Sequence, residues 1–403
     1  MKKSLVALAL GAFALGAAEF VMMGILPQAA RTMGVSIPFA GNFISSYAIG
    51  VCFGTLILVF GRKIPPKHLI IGFMALIIIG NMLSALSGNA PMLIAARFIA
   101  GLPHGAFFGT ATLIAKSVAD PGKETKAVSM MVTGQTVANM LGVPAGTLLA
   151  EHLSWRMTFV SLSAWAAVTL VLSFLWLPDV PAIKDAGIGG QFAFLRRRAP
   201  WFILGAVFLG NAGIFCWWSY VSPWLIRVGG YSSGMIPIMM MLAGFGMVIG
   251  GLVGGTIADR WRHAGTASLG QALSAIGLLL VFVIPGTPLT TAILTFWISF
   301  GLFFVSSPQQ ILMVEAGQGG GELIGGAAVQ VAFNLGNAVG SLIGGFTLTA
   351  TANDYQSPAL SGTPLALMAV ALLIIYSWRH ETHTNALHRM RLVHSPEVGS
   401  KPQ

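Results

Sequence analysis

The chain has 403 residues, 55% of them hydrophobic and only 8% charged, with a mean hydropathy of +0.81. A soluble domain carries about 25% charged residues, so this composition excludes a water-soluble globule and fits a chain that lives in lipid. The net charge of +10 would suit nucleic acid only if Lys and Arg shared one polar face; here they fall in short clusters between apolar runs, which points away from a nucleic-acid partner.

Met1-Lys2-Lys3, an apolar run and the small residues Ala17-Ala18 have the outline of a cleavable signal peptide. The run continues to Pro27, a spanning length, and reads as a first transmembrane helix. Twelve apolar segments follow in order: 5–27, 41–60, 68–87, 91–115, 127–149, 155–177, 201–222, 236–256, 266–284, 290–313, 322–348 and 359–378. With the N-terminus inside, 18 of the 22 basic residues fall on the cytoplasmic side; Arg31, Arg156 and Arg227 lie outside and Arg97 lies within the membrane. An even number of spans and this charge asymmetry agree in placing both termini in the cytoplasm. The longest cytoplasmic connection, ending in Arg196-Arg197-Arg198, divides the segments six and six. The expected organisation is a bundle over 1–180, a linker over 181–199, a second bundle over 200–379 and a tail over 380–403. The halves echo one another, as repeats should: Gln135…Asn139…Gly142 in the fifth segment matches Gln330…Asn334…Gly336 in the eleventh, and Leu15-Gly16 matches Leu209-Gly210.

Arg97-Phe-Ile-Ala-Gly101-Leu-Pro-His104-Gly105 organises the rest of the reading. Arg97 and His104 are two helical turns apart and share a face, with Gly101 and Gly105 beside it to admit a neighbouring backbone. A cation in mid-membrane costs roughly 2.5–3.5 kcal/mol on insertion scales, so it normally faces protein or a wet cavity. Glu19 is the acid well inside a span, at about the depth of Arg97, with His104 about 10 Å deeper by helical rise. A carboxyl whose charge depends on its partner is what proton coupling needs, against a static Glu19–Arg97 pair as the plain alternative. Gln135 and Asn139, and Gln330, Asn334 and Asn337, form polar stripes that suit a central cavity holding a solute, or simply interhelical hydrogen bonds. Asn211, Trp217, Trp218 and Tyr220 could wall the same cavity, or the tryptophans could form an interfacial belt. Small-residue spacings at Gly50/Gly54, Gly142/Gly146, Gly246/Gly250/Gly254 and Gly336/Gly340/Gly344 read as close helix contacts that slide or rock.

Other chemistry is thin. Cys52 and Cys216 offer neither a disulfide framework nor metal spacing. The glycine-rich stretch from Gly317 lacks the Gly-Lys-Ser/Thr ending of a phosphate loop, so no ATP is expected by that route. His380, His383, His388 and His394 have no zinc-ligand pattern. No nucleophile–base constellation suggests an enzyme, and neither cofactor nor metal is expected.

The residues resemble one family. Gly16-Ala-Ala-Glu19-Phe20…Gly24-Ile-Leu-Pro27, Arg97-Phe-Ile-Ala-Gly101, Pro103-His104-Gly105, Gly134…Gly142-Val-Pro144-Ala-Gly146-Thr and Ser154-Trp155-Arg156 together are similar to motifs of the major facilitator superfamily. The likeness is to its twelve-helix drug/proton antiporter branch and, within that, the arabinose-efflux-like subgroup. The resemblance implies an all-α membrane protein with two pseudo-symmetric six-helix bundles, working as a monomer in a bacterial inner membrane. It implies proton-coupled export, by alternating access, of a small-molecule solute such as a sugar or an amphipathic drug-like compound; the same architecture could also run as a symporter or uniporter. It further implies helix packing through Gly142, Pro144 and Gly146, and a cytoplasmic gate at Arg62, Lys63, Asp259 and Arg260. The family's acid is missing after the second segment, where Gly61-Arg62-Lys63-Ile-Pro65-Pro66 stands, and is kept at Asp259-Arg260.

Overall fold

The computed structural model describes residues 3–61, 64–121, 123–180, 193–316 and 322–381. The described residues hold fifteen α-helices: α1 (Lys3–Met33), α2 (Ile37–Gly61), α3 (Pro66–Leu86), α4 (Ala90–Val118), α5 (Glu124–Val137), α6 (Val143–His152), α7 (Trp155–Trp176), α8 (Ala199–Trp218), α9 (Val221–Arg227), α10 (Ile236–Arg260), α11 (His263–Val283), α12 (Pro288–Phe304), α13 (Ser306–Ala316), α14 (Glu322–Ala350) and α15 (Ser357–Tyr376). Among the described residues there is no strand. Among the described residues eleven spans are continuous and apolar enough to cross a membrane, with α8–α9 and α12–α13 each counted as one. The predicted fifth segment differs: it is broken into α5, a π-helical turn (Ala138–Gly142) and α6. Proline at the start of α6 has no N–H to give the preceding ladder, and the extra residue of the π turn absorbs the mismatch.

Local chemistry fixes the helix ends at the membrane face away from the termini, called here the far end. Asn89 caps α4 by accepting from Met92 N at 2.9 Å. Ser154 caps α7, Arg156 stacks on the Trp155 ring at 4.5 Å, and its Nη2 donates to Ser87 O at 2.6 Å. The Ser-Trp-Arg triplet thus ties the start of α7 to the end of α3. At the opposite end, Ser4 Oγ donates to Trp176 O at 2.7 Å, so α1 begins where α7 finishes, as six crossings require.

The packing repeats itself. In the first half α2 lies on α4, α3 on α7 and α1 on α5; in the second, α10 lies on α12, α11 on α15 and α8 on α14. These are the same pairs of spans counted from the start of each half, which is the expected pseudo-symmetry. The seam between halves is built by α2 against α14, by the π turn and α6 against α10, and by α1 against α9.

The glycine spacings do something other than slide. A Cβ at Gly50 or Gly54 would strike backbone carbonyls of Phe98 or Leu102 on α4, and one at Gly101 or Gly105 would strike Tyr47 or Thr55 on α2. Gly246, Gly250 and Gly254 meet the Phe296, Phe300 and Phe304 carbonyls, and Gly336, Gly340 and Gly344 meet α8 at Phe208, Ala212 and Cys216. Gly142 and Gly146 sit against Phe13, Val21 and Thr158, with Pro144 buried between them. All these contacts lie within one half, so they lock each bundle. The close approaches across the seam belong to other glycines: Gly41 at Tyr220, Gly345 at the Pro38 carbonyl, Gly24 at Met240, and Gly244 at the Asn139 backbone.

Candidate functional site

Glu19 on α1 is buried, and two elements meet its carboxylate. Asn337 Nδ2 of α14, in the other half, donates to Oε1 at 3.4 Å. His104 Nε2 of α4 stands 3.6 Å from Oε2. His104 Nδ1 lies 2.9 Å from the Tyr47 hydroxyl, which in turn is 3.3 Å from the Leu15 carbonyl. A polar thread therefore runs Asn337–Glu19–His104–Tyr47 through apolar surroundings, from one half into the other.

Proton bookkeeping limits what this thread can do. The Tyr47 hydroxyl has one hydrogen, and a carbonyl only accepts. When Tyr47 donates to Leu15 O, His104 Nδ1 must carry a proton to donate to Tyr47. Nε2 is then either a lone pair facing a protonated Glu19, or an N–H facing a carboxylate. The pair can hold a proton on either partner without moving a heavy atom far.

Arg97 is fully buried but is not the partner of Glu19: no ion pair joins them among the described residues. Its Nη1 donates to Ala18 O at 2.9 Å and its Nε to Phe43 O at 3.3 Å, while the guanidinium lies over the Tyr47 ring at 4.3 Å and near Phe159 at 5.7 Å. Equal depth on two helices does not fix azimuth, and the long side chain instead clamps α1, α2 and α4 through carbonyls and π faces. It meets the thread at the Tyr47 ring, and its charge also acts on Glu19 through space.

The carboxamides divide. Asn139 is buried in the π turn, and neither of its side-chain polar atoms has a hydrogen-bond partner among the described residues. Asn211 and Asn334 each give Nδ2 to the carbonyl four residues back, Val207 O at 2.8 Å and Gln330 O at 3.0 Å. That orientation leaves their Oδ1 atoms buried and unmatched, as is Asn337 Oδ1. A Cβ at Gly336 would touch Asn211, so Asn211 packs on α14 at a glycine that lies between Asn334 and Asn337 in the chain. Gln135 is half-buried against Gly16, and Gln330 is half-buried on α14. Phe20 spans the middle, 6.3 Å from Phe215 and 6.2 Å from Phe303.

Other expectations are displaced. Trp217 is buried in a cluster with Trp218 (5.8 Å) and Trp224 (5.0 Å), which is incompatible with an interfacial belt. Tyr220 belongs to the seam: its hydroxyl lies 2.8 Å from Ser341 O and 3.4 Å from Pro38 O. Ser341 Oγ donates to Gly41 O at 3.0 Å and Ser45 Oγ to Ala338 O at 3.1 Å. At the same end Ser233 Oγ donates to Glu151 Oε1 at 2.7 Å across the halves. The far end is thus closed. Asp259 and Arg260 are exposed in the last turn of α10, whereas Arg62 and Lys63 lie outside the described residues, as do His383, His388 and His394. Sequence reasoning missed Tyr47, Ser341 and Glu151; the Ser45-Ser46-Tyr47 triplet within an otherwise apolar stretch of α2 was an available signal for the first.

A profile described as the Major Facilitator Superfamily matches residues 8–325. The chain belongs to this family. It is 41% identical to AraJ of Escherichia coli (strain K12) over 377 residues, 93% of this chain and 95% of that one. The inner membrane transport protein YdhP of the same organism is 34% identical over 384 residues, 94% and 97% of the two chains. A chloramphenicol resistance protein of Streptomyces lividans is 28% identical over 383 residues, covering 92% and 95%. Among solved structures, a bacterial homologue of the human lysosomal transporter Spinster, inward-facing and unoccupied, superposes with a TM-score of 0.69 over 93% of this chain and 94% of that one, at 17% identity. The fold is therefore that of the superfamily, and the chain is a multi-pass membrane transporter by family.

Proposed function

We propose that this transporter exports a small solute in exchange for protons, with Glu19 and His104 as the proton-exchanging pair. The observation that carries the reading is the position of Glu19, faced by His104 of its own half at 3.6 Å and bonded by Asn337 of the other half at 3.4 Å. A group that changes charge at the seam biases how the halves meet, because an ionised carboxylate only accepts hydrogen bonds whereas a protonated one also donates. Arg97 positions the thread by fixing α1, α2 and Tyr47. The unmatched carboxamide oxygens of Asn211, Asn334 and Asn337, with Asn139, Gln135 and Gln330, would hold the solute's polar groups, and Phe20, Phe215 and Phe303 its apolar ones.

In this reading the chain sits in a bacterial inner membrane with both termini cytoplasmic, the closed far end faces outward, and the Asp259–Arg260 turn helps gate the inner side. Similarity to a chloramphenicol resistance protein supports an amphipathic drug-like solute, and the many carboxamides suit a sugar equally well. In proteoliposomes with an imposed pH gradient, Glu19→Gln should abolish gradient-driven transport yet leave solute exchange. Gradient-driven transport at the wild-type rate in that variant would reject Glu19 as the coupling acid.

A further inference from the structure

The span pattern leaves three basic residues at the far end, Arg31, Arg156 and Arg227. Arg156 is committed to the Ser87 carbonyl and the Trp155 ring. The other two come to one place. Arg31, in the last turn of α1, and Arg227, in the last turn of α9, line a surface cavity of about 630 Å³ with Ile37, Asn353, Asp354 and Tyr355. Arg31 and Ile37 belong to the first half and the rest to the second, so the cavity straddles the seam. Ile37 adjoins Pro38, whose carbonyl meets Tyr220.

The lining carries two guanidiniums and one carboxylate, an excess of one positive charge. Among the described residues neither arginine forms an ion pair, although Asp354 shares the cavity. Asp354 is turned to its own loop, its Oδ1 accepting from Gln356 N at 3.1 Å. That loop is set by two left-handed residues in succession, Ala352 (φ 52°) and Asn353 (φ 66°), a conformation in which an alanine is strained. Burial pushes the Tyr355 phenol above its usual pKa, the Arg227 charge acting the other way, so it remains a hydrogen-bond donor. Closing the seam brings two like charges towards one concavity. Guanidinium forks match the oxygens of phosphate and carboxylate in bidentate fashion, and one such group answers both arginines at once.

We propose that this cavity binds an oxyanion between Arg31 and Arg227, and that its occupancy holds the far ends of the two halves together. A ligand that meets both halves binds only the closed arrangement and shifts the population towards it. Free phosphate and the phosphate of an anionic lipid headgroup present the same chemistry at this face.

The full chain in neutral detergent, titrated with inorganic phosphate against chloride at matched ionic strength, should show a saturable rise in apparent Tm of about 2 °C or more. Arg31→Gln and Arg227→Gln should each lose that rise, and Arg156→Gln should keep it. Should either glutamine variant fold poorly, Arg31→Lys and Arg227→Lys keep the charge without the fork and should weaken the apparent affinity several-fold. In a second arm, nanodiscs of phosphatidylcholine with and without phosphatidylglycerol are compared. A rise confined to the phosphatidylglycerol discs, and lost in both variants, assigns the group to a lipid; a rise with phosphate in detergent assigns it to a free anion. No rise in either arm, or a rise that survives in either variant, would overturn the site. Spin labels at Leu153 and Leu289, both exposed at the far end in opposite halves, with Cys52 and Cys216 replaced by serine, read the second part. The anion should narrow the distance distribution about its shorter member, and an unchanged distribution would overturn the link to closure.

Discussion

Arg97 carries a full charge at zero exposure, and two backbone carbonyls and two ring faces offset its desolvation. Those acceptors sit on two different helices, so a point charge on a shorter reach cannot serve both. Hydrogen bonds to charged groups contribute about 1.5–3 kcal/mol each. Arg97→Gln should therefore cost about 2–4 kcal/mol of stability, read as a lowered apparent Tm by tryptophan fluorescence, with Arg97→Lys in between. Asn337 works differently, since its one bond to Glu19 crosses the seam. Asn337→Ala should leave the fold intact and lower gradient-driven transport about 10- to 100-fold relative to solute counterflow in the same variant, the equivalent of that same bond energy. Wild-type coupling in Asn337→Ala would remove the cross-half bond from the mechanism. The presence of Glu19, Arg97 and His104 in one buried region was legible from their chemistry, because hydrocarbon excludes such groups unless protein surrounds them. Their pairing was not. Helical rise gives depth, but which neighbour a side chain meets depends on helix rotation, and that choice gave Glu19 to His104 and Arg97 to the backbone.

At the scale of elements, stability rests on helix faces stripped to glycine. A Cβ at Gly54 would overlap the Leu102 carbonyl, which is backbone and cannot rotate away, whereas a Cβ at Gly72 meets nothing within 4 Å. Gly54→Ala should thus destabilise by about 1–3 kcal/mol through overpacking. Gly72→Ala should be neutral or stabilising by up to about 1 kcal/mol, because alanine loses less entropy in a helix. Matched thermal melts of the two variants check the contrast, and equal Tm values would contradict the close α2–α4 approach. The spans themselves were legible, since crossing hydrocarbon demands some twenty apolar residues and leaves a continuous mark on the sequence. The π turn at Ala138–Gly142 left no such mark: one extra residue per turn changes neither composition nor length. Glycine spacing likewise announced close contacts without naming the partner helix, so the faces that lock each bundle looked the same as faces that move.

The whole molecule is two helical bundles meeting at a closed far end, and near Tyr220 polar contacts join the apolar packing of the closure. There the contact is made by a phenol hydroxyl, the Gly41 and Gly345 backbones, and the Ser341 and Pro38 carbonyls. Hydrogen bonds of this kind have modest net worth, about 0.5–1.5 kcal/mol, which suits a surface that must separate repeatedly. Tyr220→Phe keeps the ring and deletes the donor, and so removes from the closed side the bond to Pro38 O that crosses the seam. The equilibrium should therefore move towards the open far end by about 5-fold, since 1.4 kcal/mol is a factor of 10. The Leu153–Leu289 label pair should register this as a larger long-distance population, with the apparent Tm changed little because each bundle stays intact. Gly345→Ala tests the same contact by volume: its Cβ would lie 2.6 Å from the Tyr220 hydroxyl and 2.9 Å from Pro38 O, and it should open the far end in the same direction. If both variants kept the wild-type distance distribution, closure would have to reside in the α6–α10 contact around Glu151 and Ser233 instead, and Tyr220 would be packing alone.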